Sequence, residues 1–270
     1  MKKAIALIIV PILLISFSGC KNRTAVKEQK KAETQEVKSL ETKIEANVYP
    51  LPTSAEVIKM LTDLEVGYQF GITNPVENSK KYFSSSARAI NMGIFGADLS
   101  YTTLYNQSQE VINYLNVIRD LANELNMSKI YDEALYDKIK QNFDQRDTLV
   151  KILTKSFNET YNYLAENEQQ PLALCVVGGA WVEGMYLTTH VSAAAYNVAG
   201  ISKNLIEQKK SFDLFIDLTK PYETDPVIVE FVKTLDPIKQ VYSKLGTSLT
   251  EQNIKDITKA MEDVRNKLIQ

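Results

Sequence analysis

A chain of 270 residues with a formal net charge of −2, 44% hydrophobic and 24% charged, has ample apolar content for a packed core. It lacks the basic excess that nucleic-acid binding needs, so no nucleic-acid partner is expected. One His and two Cys cannot supply a His-rich metal centre or a zinc finger, and neither a metal nor another cofactor is expected.

The first residues read as an address. Lys2 and Lys3 precede 14 uncharged residues, Ala4 to Phe17, and the small pair Ser18-Gly19 follows. A charged start, an apolar run and small residues, in that order, read as a signal peptide over 1–19. A helix that crosses about 30 Å of hydrocarbon needs about 20 apolar residues, more than this run supplies. Residues 21–49 then carry seven basic and five acidic side chains, a net of +2, with Tyr49 their only aromatic. So little apolar surface cannot offset the entropy of ordering, so 20–49 is expected to be a tether. The remainder, 50–270, has 22 basic and 28 acidic residues, a net of −6, and is expected to be one soluble domain.

Phe17-Ser18-Gly19-Cys20 resembles a bacterial lipobox. The resemblance covers the first 20 residues and departs from the usual pattern at Phe17, where Leu is commoner, a feature of relaxed Bacteroidetes-type lipoboxes. It implies that Cys20 is lipidated (palmitate or a similar acyl group), that the signal is removed before it, and that the new N-terminus is acylated. Two or three chains hold a protein on a membrane stably, where one does so marginally. Lys21, in place of the Asp that retains enterobacterial lipoproteins in the inner membrane, points to the outer membrane. The absence of acidic residues before Glu28 favours its periplasmic face. With Cys20 lipidated, Cys175 has no disulfide partner. In Leu174-Cys175-Val176-Val177 it reads as a small buried hydrophobe.

The domain reads as helices in sequence. Thr53-Ser54-Ala55-Glu56 fits a capping box, followed by the stripe Val57, Leu61, Leu64, Tyr68, with Gly71 and Asn74-Pro75 ending it. Further helices are expected over 86–105, 108–125, 131–143 and 147–164, the last with Asp147 as N-cap. Pro171 opens a helix running to about 200 that is apolar on most sides and is therefore expected at the centre of the bundle. Its Gly178, Gly179 and Gly184 point to close approach by a neighbouring helix, and Gly93 and Gly96 in the 86–105 stretch read the same way. A helix over 202–218 precedes Asp225-Pro226, an N-cap followed by Pro at the first helical position, and Pro237 forces a kink or restart before Gly246. Ser248 to Glu251 forms another capping box, followed by the stripe Ile254, Ile257, Met261, Val264, Leu268. The fold class is all-α, a multi-helix bundle with a buried central helix over about 171–200. The stretches Gly96-Ala97-Asp98-Leu99-Ser100-Tyr101 and Gly178 to Gly184 resemble uncharacterised all-helical lipoproteins of Bacteroidetes-type bacteria, a resemblance that brings no activity with it.

Polar groups on the two most apolar helices are the candidates for function. Glu183, Tyr186, His190 and Asn197 fall at helical spacing on one face, with Trp181 nearby, and Asp98, Tyr101, Thr102 and Tyr105 share a second. They would line a pocket for a small ligand, or form an internal hydrogen-bond network that fixes helix register. Glu183 and His190, seven apart, stand about 10.5 Å apart along a helix and do not make a metal site by themselves. Three readings follow: an envelope lipoprotein with a non-catalytic binding or scaffold role and an envelope protein partner; a ligand-binding bundle with a pocket at Asp98, Tyr101, Trp181, Glu183, Tyr186 and His190; and a hydrolase-like enzyme built on Glu183 and His190.

Overall fold

The computed structural model describes residues 67–191, 199–246 and 248–270, with Thr62 alone before them. All belong to one unit, Asn47–Gln270. The signal peptide, Cys20, the tether, the 53–56 capping box and Asn197 lie outside the described residues.

Among the described residues there are helices and turns and no strand. The α-helices are α1 (Ser85–Leu104), α2 (Ser108–Glu124), α3 (Glu133–Lys140), α4 (Arg146–Glu166), α5 (Gln170–Val191), α6 (Ala199–Thr219), α7 (Pro226–Thr234), α8 (Asp236–Ser243) and α9 (Glu251–Leu268). Short 3-10 turns cover Val76–Lys81 and Lys220–Tyr222. This is the all-α bundle expected from the sequence. Side-chain caps set several helix starts. Ser84 Oγ accepts from the Ala87 N–H to open α1. Asp132 does the same for α3 through the Leu135 N–H. Asp225 caps α7 from just before Pro226, which has no N–H to leave unpaired. Three helices end without glycine. Asn106, Asn126 and Glu168 take left-handed backbone (φ 54°, 62° and 60°), and the next residue donates back to Thr102, Ala122 and Leu164 respectively. These are Schellman closures, which satisfy carbonyls the helix itself leaves free.

The structure corrects several expected boundaries. The last helix is capped by a reciprocal pair between Thr250 and Asn253, not by Ser248 and Glu251. Gln145, not Asp147, occupies the N-cap position of α4, and Asp147 sits in its first turn. Tyr68 lies outside any helix, in the irregular stretch before the first 3-10 turn. The central helix is described from Gln170 to Val191, and the expected continuation over 192–198 lies outside the described residues. Pro237 produces a restart rather than a kink, because α7 closes at Thr234 and α8 begins at Asp236.

α5 is the axis of the bundle. It is long and apolar enough to cross a membrane, yet 89% of its apolar stretch is buried among the other helices. Its glycines explain how so many neighbours reach it. A Cβ on Gly179 would sit 2.1 Å from the Ile90 carbonyl oxygen of α1, and one on Gly93 would sit 2.0 Å from that of Val176. The two helices therefore cross backbone against backbone, a contact only glycine permits. On the other side, a Cβ on Gly178 would meet the rings of Phe215 and Phe231. Gly96 is different: nothing lies within 4 Å of its missing Cβ. It lines an apolar cavity of about 30 Å³ with Met92, Leu115, Ile139 and Leu153.

Candidate functional site

Opposite sides of α5 have different chemistry. Trp181 stacks against Phe212 of α6 with centroids 5.0 Å apart, lies 6.3 Å from the Tyr242 ring of α8, and donates its indole N–H to Gln208 Oε1 at 3.0 Å. This is a largely aromatic core. It does not join Glu183, contrary to the placement expected from sequence, because two residues along a helix turn a side chain through roughly 200°.

Glu183 faces α9. Its Oε2 accepts from Arg265 Nε and its Oε1 from Arg265 Nη2, both at 3.0 Å, a bidentate pair. Glu183 is 0% exposed and Arg265 6%. Arg265 Nη2 also donates to the Ile72 carbonyl at 3.3 Å, and the guanidinium carbon lies 4.2 Å above the Tyr186 ring. Burial opposes the charge on Arg265. The charge and hydrogen bonds of Glu183 outweigh it and raise the guanidinium above its ordinary value.

Asp98 of α1 joins this pair. It is 0% exposed. Its Oδ2 accepts from the Asn74 N–H at 3.1 Å, while Oδ1 has no hydrogen-bond partner. Burial first, then the charge of Glu183, raises its carboxyl well above the ordinary 3.8, against the opposing pull of Arg265. Around these groups, Tyr114 donates to the Asn74 carbonyl at 3.0 Å, and Asn74 Nδ2 donates to the Tyr82 hydroxyl at 3.2 Å. Burial pushes Tyr82 up to about 12 and Tyr114 up as well.

The remaining candidates separate. Tyr101 stacks on Tyr68 at 5.4 Å and meets Tyr105 edge-on at 5.0 Å, and its hydroxyl accepts from the Gln69 N–H at 2.8 Å. Thr102 donates within its own helix, to the carbonyls of Asp98 and Leu99. Tyr186 stacks on His190 with centroids 3.9 Å apart, and His190 Nδ1 lies 2.8 Å from the Tyr186 carbonyl, which makes Nδ1 the protonated nitrogen. Burial lowers His190 below 6.5, so it is neutral at pH 7. Burial likewise pushes the Cys175 thiol up to about 12, which fits a packed hydrophobe rather than a nucleophile. Among the described residues no group of three His, Cys, Asp or Glu is placed to hold a metal.

Sequence reasoning brought out Asp98 and Glu183 and missed Arg265, the cation that joins them. The signal was present. Arg265 lies four residues after Met261 and three before Leu268, on the buried stripe of α9, and a charged residue at a core position calls for a buried partner. Asn74 and Ile72 contribute through backbone atoms, for which side-chain patterns carry no signal. No protein family, curated protein or solved structure matches the chain, so its own residues carry the functional reading.

Proposed function

We propose that the protein is a cell-envelope lipoprotein, acylated at Cys20 and held at the outer membrane on its periplasmic face, whose helical domain serves as a non-catalytic binding or scaffold module for an envelope protein partner. The observation that carries this reading is the order Lys2-Lys3, a 14-residue uncharged run, and Phe17-Ser18-Gly19-Cys20. The polar cluster supports the second half. Both oxygens of Glu183 are taken by Arg265, so Glu183 is not poised as a base, and a ligand would reach Asp98 or Glu183 only by opening the bundle. The apolar stretch of α5 is mostly buried within the bundle, which is compatible with attachment through an N-terminal lipid.

The test is fractionation with in-cell crosslinking of the wild type and Cys20→Ser. The wild type is expected in the membrane fraction with a reproducible crosslinked partner. The variant is expected to lose both the membrane association and that partner. Equal membrane association of the two forms would remove the anchor, and no reproducible partner for the wild type would remove the scaffold role.

A further inference from the structure

The buried cluster holds two carboxylates, Asp98 and Glu183, and one cation, Arg265. The guanidinium spends two N–H groups on Glu183 and a third on the Ile72 carbonyl, and none of its bonds goes to Asp98. Asp98 receives a single donor, the Asn74 N–H, and its Oδ1 receives none. An ionised carboxylate offers about four acceptor positions and is seldom buried with one filled. A second buried negative charge beside Glu183, with no hydrogen-bonded cation of its own, is strongly unfavourable. One proton removes both difficulties. Glu183 is the buried carboxylate whose charge acts most strongly on Asp98, and two neighbouring carboxyls attract only when one of them carries hydrogen.

We propose that Asp98 and Glu183 form a proton-binding site, sharing one proton on Asp98 Oδ1, and that this proton fastens the strap Gly67–Asn74 to the bundle. The strap is irregular chain, with a turn at Phe70-Gly71, where Gly71 is left-handed (φ 77°), and a bend at Thr73. Its backbone is held by side chains of the bundle. Tyr101 accepts from the Gln69 N–H, Arg265 donates to Ile72, Asp98 accepts from the Asn74 N–H and Tyr114 donates to the Asn74 carbonyl. Two of these four bonds run directly through the charged cluster. When the proton leaves, Asp98 and Glu183 repel and Arg265 is drawn between them. Its bond to Ile72, the longest in the cluster at 3.3 Å, is the first to be lost.

The sign follows from where the proton is held. With the strap open, Asp98 meets water and ionises near its ordinary 3.8; with the strap closed, it keeps its proton to higher pH. Closure is therefore most favourable below that ordinary value and weakens as pH rises towards the value of the closed state. Of the groups facing the pair, Tyr68, Tyr82, Tyr114 and Tyr186, from the strap, its 3-10 flank, α2 and α5, are all raised above 10.0 and stay neutral through this range, whereas His190 of α5 is lowered below 6.5 and gains charge only towards its acid end, in the wild type and in an Asp98 variant alike. Arg265 stays charged, while Glu110 and Glu262 contribute negative charge from α2 and α9. The inference is independent of the lipid at Cys20.

Two measurements on the full chain test it. The infrared spectrum, taken at a pH where free aspartate is fully ionised, should contain the carbonyl band of a neutral carboxylic acid, shifted when aspartate is ¹³C-labelled. This needs no variant, so a folding failure cannot obscure it. Hydrogen exchange of the strap amides, corrected for the intrinsic rate, should lose protection by about tenfold per pH unit between about pH 5 and the loss of the proton. In Asp98→Asn, which keeps a neutral acceptor for Asn74 and a donor for Glu183, strap protection should be independent of pH. An absent acid band, or the same pH profile in both proteins, would overturn the proposal.

Discussion

Trp181 and Glu183 stand two residues apart on α5 and face two different interiors. Around Trp181, α6 and α8 supply rings and one amide, and nothing there carries a charge that must be balanced. Around Glu183, α1 supplies a second carboxylate, α9 a guanidinium and the strap backbone groups that bind to both. The aromatic side holds together by apolar area and shape, which tolerate changes of pH. The polar side holds only while charges and protons match, because an unpaired buried charge costs more than most apolar truncations. The same helix thus carries a passive core and a core whose strength depends on solution conditions.

This contrast can be broken from either side. The largest effect is expected from Arg265→Met, which leaves two buried carboxylates without a cation and should destabilise by about 3–5 kcal/mol in urea unfolding. Both carboxyls would then need protons to remain buried, so the loss should grow as pH rises. Gly179→Ala follows, at about 3 kcal/mol, because the added methyl meets the backbone of α1 and neither helix can yield locally. Gln208→Leu strips the indole N–H of Trp181 of its acceptor and should cost about 2 kcal/mol, with the pH dependence of stability left as in the wild type. A shared loss of pH dependence in Arg265→Met and Gln208→Leu would erase the distinction between the two sides. The smallest effect has the opposite sign. Gly96→Ala places a methyl where no atom lies within 4 Å and removes a mid-helix glycine, so a gain of about 1 kcal/mol is expected in the same assay.

The sequence made the helices legible because their stripes and caps are local. Asp225-Pro226 opens α7, and the even apolarity of 170–191 marked the central helix. Gly93 and Gly179 were legible as contacts though not as contacts with each other, since their partners are carbonyls 83 and 89 residues distant, Val176 and Ile90. The closures at Asn106, Asn126 and Glu168 were hidden because no glycine marks them, and Glu168 is an unusual residue at positive φ. At the candidate site, helical spacing identified Asp98 and Glu183 without showing that they meet. Arg265, 82 residues beyond Glu183, closes the cluster from a helix otherwise rich in surface ion pairs such as Glu251–Lys255 and Asp263–Lys259, which made one more charge look ordinary. Trp181 was misassigned for the reverse reason: closeness in sequence on a helix places neighbours on different faces.

The function proposed here depends on what is attached to one sulfur. Intact-mass analysis of the mature full-length protein extracted from membranes tests this most directly. The account predicts a chain that begins at Cys20 and carries acyl chains on both its thiol and its amine. A mature chain that begins elsewhere, or a Cys20 that bears no lipid, would contradict it.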